Sequence, residues 1–442
     1  MPVVPSSPAD HPPTPAAGLE VRPFRALTFS RRDPEHLARV SSPAYDLVTP
    51  EGRERLAAAD PHNVVRLILP RVVPAAGDSG ADELRRSVEQ AAHALRAWET
   101  DGVLERDPEP ALWVYEMRPS DGTPATVGWL GAVALPAAGS RAVLPHEDTF
   151  PVAVEGRRAL LAATDTDLEP IVLAHDPEPE VSALTGAGQD GDATLVVDDA
   201  DGVRHSLWRV IDRRLVAQVT AALGRTGAVI ADGHHRFAAV QALAASSPGE
   251  RFAVLALLTP MGPGGLRVRA IHRVVPDLPF DDALAAAARD FRVTGMAAGQ
   301  DDLPGAVQDW LADPTESGFL VSDGRRLARL DSPSPEVRAS VPAQAPTSWR
   351  GLDVVLAHHG LVQRSWRRRD DPDSLLVAHS VDEALTGALT RQGVAVLLRP
   401  PSPADVAAVA RAGARMPRKS TLFVPKPRTG LVLRPHDRPE VR

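Results

Sequence analysis

The segment Ala228-Val229-Ile230-Ala231-Asp232-Gly233-His234-His235-Arg236-Phe237 constrains the fold more than any other part of the chain. Its apolar start reads as a short strand and Asp232-Gly233 as a turn, with helical apolar spacing from Phe237 to about Ala245. A strand that turns directly into a helix belongs to α/β or α+β architectures. The same turn puts Gly233, His234, His235 and Arg236 at the helix start. Unpaired N–H groups and the positive end of the helix dipole make that position suited to an anion. Asp232 supplies an acceptor there, or a ligand for Mg²⁺.

The rest of the pattern alternates in the same way. Strands are expected at 64–70, 111–117, 126–135, 170–174, 193–197 and 206–210. An amphipathic helix is expected at 82–100, with Leu84, Val88, Ala91, Ala92, Leu95 and Trp98 near one face. A helix at 213–223 leads into the Asp232 turn. Residues 251–259 and 266–275 read as a strand pair closed by a glycine-rich turn at 261–265. Further helices are expected at 281–290, 303–312, 381–392 and 403–414, and strands near 318–322, 374–378, 395–399 and 430–434. The expected class is α/β with a mixed α+β sheet. Residues 1–20, rich in Pro, Ser and Ala, read as a disordered tail and not as a signal peptide. Residues 21–276 then form a phosphate-binding core, and 277–442 a C-terminal α/β region packed on it. The Pro-rich stretch 332–346 is either an internal linker or a surface loop.

Composition narrows the function classes. The 442 residues, 43% of them hydrophobic, suffice for one large core or two to three ordinary ones. A net charge of −8 with scattered basic residues makes nucleic acid an unlikely partner. The absence of Cys excludes disulfides and thiolate metal sites and fits a cytoplasmic protein. No apolar run approaches the ~20 residues that span a bilayer. Of 49 Lys and Arg only two are Lys, Lys419 and Lys426, and the only Asn is Asn63. Arg does not replace Lys where a compact point charge is wanted, as at a phosphate oxygen. Lys419, Ser420 and Thr421 together offer an ammonium and two hydroxyls, as phosphate sites often do; a solvent-facing turn is the alternative.

Pro145-His146-Glu147-Asp148 follows an apolar pair, so an imidazole and a carboxylate leave a strand together. Glu147 is a candidate general base, with the like charge of Asp148 raising its pKa. Glu155, Arg157 and Arg158 read as solvent-facing. His272 ends a strand and faces a pocket or serves structure.

Seven segments share an order that resembles the family long called domain of unknown function 1015. They begin at Arg22-Pro-Phe-Arg, Pro43-Ala-Tyr-Asp, Pro61-His-Asn-Val, Leu144-Pro-His-Glu, Ala231-Asp-Gly-His-His-Arg, His272-Arg and Met416-Pro-Arg-Lys-Ser-Thr. That family in turn resembles the ParB/sulfiredoxin-like superfamily, whose Asp-Gly-His-His-Arg-type turn binds phosphates. One branch contains kinases that convert free L-serine to O-phospho-L-serine with ATP, ADP or pyrophosphate. The resemblance implies a small-molecule kinase with Mg²⁺. Glu147, beside His146, would be the base, and Asp232, Gly233, His234, His235 and Arg236 the phosphate site. Lys419 would neutralise the transferred group or a substrate carboxylate, and Tyr45, Asp46, Asn63 and His272 would wall the substrate pocket. Two positions depart from the pattern: Gly156 where relatives commonly carry Asp, and Arg418 where Gln is expected. A phosphate-ester hydrolase or nuclease, and a non-catalytic nucleotide-sensing protein, are the alternatives.

Overall fold

A computed structural model describes residues 18–73, 79–246, 252–297, 299, 302–313, 315–369, 371, 374–417 and 419–436. Residues 1–17 of the segment read as a tail lie outside the described residues. Leu19, also in that segment, is buried and donates its N–H to the Thr226 carbonyl. The architecture is mixed α/β. A nine-stranded sheet runs in the order Val143–Leu144, Ala228–Asp232, Ile171–His175, Ala253–Pro260, Thr126–Ala134, Leu112–Pro119, Val203–Val210 and Leu195–Asp198, with Val21–Arg22 added beside Thr126–Ala134. A six-stranded antiparallel sheet is built from Arg292–Met296, Leu327–Asp331, Phe319–Ser322, Val394–Leu397, His272–Val275 and Leu376–Ala378. One buried cluster joins the two, running from Phe24, Trp113 and Leu257 to Phe319 and Val396.

One pairing positions the site. Val143–Leu144 lies parallel to Ala228–Asp232, with Val143 opposite Ala228 and Leu144 opposite Val229. Parallel neighbours end at the same sheet edge, where α/β proteins hold ligands. Pro145-His146-Glu147 therefore emerges beside the Asp232 turn, although more than eighty residues separate them.

Much of the expected pattern is present: helices Gly80–Thr100, Arg213–Leu223, Leu303–Ala312 and Pro403–Arg411, and strands Leu112–Pro119 and Thr126–Ala134. The Gly80–Thr100 helix starts at a capping box between Ser79 and Asp82 and buries Val88, Ala91, Leu95 and Trp98.

Four expectations need correction. Residues 64–70 do not form a strand; Val65–Ile68 is a short helix. Val64, Val65, Leu67 and Ile68 are all buried, so no alternation distinguishes the two states. The local hydrogen bonds decide: Ile68 N–H reaches Val64 O, and Asn63 Oδ1 accepts from Val65 N–H. Residues 251–259 and 266–275 do not form a hairpin. Arg267–Arg269 pairs instead with Leu422–Val424, and His272–Val275 enters the second sheet. The connection is held to the strand beginning at Thr126, whose Oγ1 donates to Gly265 O, while Val127 N–H donates to Gly264 O. The stretch 332–346 is packed rather than a free linker: Ser334 caps the helix Pro335–Ser340, and Val337 and Val341 are buried. Near 430–434 the strand is only Arg434–Pro435, paired with Thr166–Asp167. Arg292–Met296 and Leu327–Asp331 are strands that were not expected. Among the described residues no helix is long and apolar enough to cross a membrane.

Asn63 is fully buried, and its side-chain amide also donates to the carbonyls of Arg39 and Ser41. Asn63→Ala leaves these groups unpaired and should destabilise the fold by about 2–4 kcal/mol, read as a lower urea midpoint. An unchanged midpoint would contradict this structural role.

Candidate functional site

At the shared strand edge lies a cleft of about 440 Å³. Its walls come from six parts of the chain: Tyr45 to Leu47, His146 and Glu147, Ala231 to Arg236, Ile271, His379, and Lys419, Thr421, Leu422, Phe423 and Lys426. Gly233 makes the turn possible. Its φ is +93°, and a Cβ there would stand 2.7 Å from the Ile171 side chain. The helix His234–Ser246 follows at once, and its first intrahelical bond is Phe237 N–H to Gly233 O. The N–H groups of His234, His235 and Arg236 precede that bond and have no partner within the helix.

The histidines are held neutral. Burial lowers His146 to about 4, and burial followed by the neighbouring His146 lowers His234 well below the ordinary imidazole range. Hydrogen bonds fix the tautomers. His146 Nδ1 donates to Ile230 O at 2.7 Å, leaving Nε2 as an acceptor 3.0 Å from Thr421 Oγ1, whose one proton it shares with Glu147 Oε1. His234 Nε2 accepts from His146 N–H, and His235 Nε2 from Phe150 N–H. Burial, then the Lys419 charge, lowers His235.

Positive charge therefore comes from Lys and Arg. Asp232 Oδ2 accepts from Arg236 at 2.5 Å, and its Oδ1 lies 2.7 Å from Lys426 Nζ. Burial alone would raise this carboxyl, but Lys426 and Arg236 outweigh it and hold it at about 2. Lys426 also pairs with Asp46. Arg236 Nη1 bonds to Pro170 O, and the guanidiniums of Arg157 and Arg236 lie 4.2 and 5.6 Å from the Tyr45 ring centre. Asp232 thus anchors cations, with both oxygens committed, and does not fit as a Mg²⁺ ligand in this arrangement. Among the described residues no cluster of three His, Asp or Glu is placed to share a metal ion.

Glu147 stands across the cleft. Its Oε1 accepts a 3.3 Å hydrogen bond from Thr421 Oγ1. Burial raises its pKa, while Lys419 and Thr421 pull the other way. The cause is therefore burial; Asp148, the neighbour expected to raise it, is exposed.

Of the residues singled out from sequence, Tyr45, Asp46, His146, Glu147, Asp232, Gly233, His234, His235, Arg236, Lys419 and Thr421 converge on this cleft. Asn63 and His272 do not line it. Asn63 is spent on backbone groups, and His272 Nδ1 accepts from Leu398 N–H inside the second sheet. Ser420 is buried and donates to Pro417 O. Gly156 sits within the helix Pro151–Thr164 with open space at its Cβ position and does not line the cleft. Arg418 lies outside the described residues. Arg157, read as solvent-facing, instead lies over Tyr45 and donates to Ile68 O. Lys426 was given no role, although as the second of two lysines it carried the signal that marked Lys419.

A search of curated proteins finds no match. Among solved structures, SbnI with C-terminal truncation from Staphylococcus aureus is similar at a TM-score of 0.35 and 14% identity, covering 69% of this chain and 86% of that one. A free serine kinase in complex with AMP gives a TM-score of 0.31 and 12% identity, over 64% and 84%. A conserved hypothetical protein from Pyrococcus furiosus gives 0.29 and 12%, over 64% and 87%. The family model described as "Protein of unknown function (DUF1015)" matches residues 21–355, most of the chain, including the cleft residues from Tyr45 to Ile271 but not His379 or those from Lys419 to Lys426. On the extent of that match, the chain belongs to the DUF1015 family.

Proposed function

We propose that the cleft transfers a phosphoryl group to the hydroxyl of a small molecule, with free L-serine as the acceptor and ATP, ADP or pyrophosphate as the donor. One observation carries the reading. A partly buried carboxylate with a raised pKa, Glu147, faces the same cleft as a glycine-turned helix start and two lysines. Phosphoryl transfer needs these parts: a base for the hydroxyl, donors for the phosphates, and positive charge where negative charge develops. The choice of L-serine rests on the Asp-Gly-His-His-Arg and Pro-His-Glu motifs and their resemblance to free serine kinases.

In this scheme the helix start at Gly233–Arg236 holds the donor phosphates through backbone N–H groups, with His235 beside them. Glu147 takes the proton from the acceptor hydroxyl as its oxygen attacks the terminal phosphorus. The bond from that phosphorus to the bridging oxygen breaks, and the shortened donor leaves with the electron pair. Thr421 orients Glu147 and shares its hydroxyl with His146 Nε2. Lys419 offsets charge on the transferred group, and Lys426 keeps Asp232 and Asp46 neutralised.

Glu147→Gln should lower the rate of phosphoserine formation by about 10²–10⁴-fold while leaving nucleotide binding intact, followed by ³¹P NMR with L-serine and each donor in turn. Unchanged turnover removes Glu147 as the base. Inorganic phosphate without phosphoserine would favour a hydrolase, and no turnover with retained nucleotide binding a sensor.

The pH profile gives a second test. Glu147 acts deprotonated, so turnover falls as pH drops through its pKa. Burial raises that pKa, so the acid limb of kcat/KM should lie above the range of an exposed glutamate. Lys419 pulls it down, so Lys419→Ala should move the limb to higher pH as well as slowing the reaction. A limb at the same pH in both proteins would mean that the two groups do not interact.

A further inference from the structure

Behind the reaction cleft lies a second cavity of about 400 Å³. The strand Leu422–Val424 is the partition between them. Side chains alternate along a strand, and here Phe423 lines the reaction cleft, Val424 the second cavity, and Leu422 both. Lys426 also borders both. The partner of this strand is Arg267–Arg269, with Arg267 opposite Val424 and Arg269 opposite Leu422. Two residues apart on a strand, the arginines share one face, and both line the second cavity.

Their charges are met only by the exposed Asp121, at a distance. Among the described residues neither guanidinium has an ion-pair partner, and Arg267 Nη1 is buried without a hydrogen-bond acceptor. Burial, followed by the like charge of Arg269, lowers the Arg267 pKa. A buried donor left unpaired is costly, and adjacent guanidiniums repel, so the arrangement calls for an acceptor with negative charge. Asp121, exposed at the rim, acts on both arginines from a distance, but no acid of this cavity is in ion-pair contact with either. Asp199 accepts from His205 Nε2 and from the N–H groups of Asp201 and Val203, and Asp121 accepts from Thr123 N–H. Asp201 is exposed.

We propose that Arg267 and Arg269 form an oxyanion site in this second cavity, taking the phosphate or carboxylate group of a small molecule. A guanidinium fork matches either group. The oxyanion is the far end of a molecule that reaches past Lys426 into the reaction cleft, or it belongs to a separate effector. Binding at this site is measured independently of any reaction at Glu147.

The test titrates inorganic phosphate into the full chain by calorimetry and compares R267Q/R269Q. The native protein should show a phosphate-binding phase that weakens at least tenfold in the double variant, while R267K/R269K, which keeps the charge, retains part of it. Arg269→Gln alone alters an exposed side chain and should weaken the same phase, so a double variant that fails to fold does not end the test. Equal phosphate affinity in native protein and R269Q, or no binding by native protein, overturns the proposal. Displacement of this phosphate by pyrophosphate that Lys419→Ala weakens would indicate one molecule spanning both cavities; displacement that Lys419→Ala leaves unchanged, or simultaneous binding, would indicate a separate effector. Either of these outcomes supports the site. Because the readout is binding, a failure of the kinase reading leaves it unaffected.

Discussion

The largely enclosed carboxylate of Asp232 is the contact on which the cleft depends. An isolated charge in that position would be strongly unfavourable, and two cations offset it: Arg236 from the following helix turn and Lys426 from nearly two hundred residues later. Lys426 extends the chain of charges to Asp46. One carboxylate therefore ties together the strand Ala228–Asp232, the phosphate-facing helix, the C-terminal segment and the turn at Tyr45–Leu47. Buried pairs of this kind add little net stability compared with apolar packing, but removing one partner is severe. What they fix is register: Lys426 reaches Asp232 only if Leu422–Val424 pairs correctly with Arg267–Arg269.

Glu169 braces the same walls from behind. Its Oε1 accepts from Tyr45 N–H and from Thr429 Oγ1, so the Tyr45 turn and the segment after Lys426 share one acceptor. Arg428, buried next to Thr429, donates to Ser41 Oγ and to the carbonyls of Ala38 and Ser41. The C-terminal segment is consequently held on both sides of Lys426 before Lys426 makes its own contacts. Preorganisation of this sort lets a site meet developing charge without rearranging at the moment of reaction.

Legibility in the sequence followed the range of the forces involved. The Asp232 turn, the capped helix Gly80–Thr100 and the helix Arg213–Leu223 are set by neighbours within a few residues, and pattern reading finds them. Where every apolar residue of a segment is buried, as in Val64–Ile68, periodicity carries no information and local hydrogen bonds decide. Partnership across the chain is harder still. Nothing local in Arg267–Arg269 indicates a strand near residue 423 as its partner. The site shows the same division. Glu147, His235 and Lys419 were visible as residue types in motifs, whereas Asn63 and His272 have equally suggestive chemistry and are consumed by backbone groups.

The rarity of lysine now has a physical account. In a chain that uses arginine for nearly every positive charge, both lysines border one cleft. Lys426 meets two carboxylates from different segments at a single nitrogen, a geometry that a compact ammonium provides and a planar fork does not. Lys419 is exposed, with φ of +51°, and its charge lowers the pKa of both Glu147 and His235. A flexible four-carbon stem allows that charge to follow a group in transit, whereas Arg236 in the cleft and Arg157 behind Tyr45 are tied to carbonyls or placed over the Tyr45 ring. The two cation types thus divide the work: the arginines hold the walls, Lys426 holds the acids, and Lys419 is left at the mouth of the cleft to meet incoming negative charge.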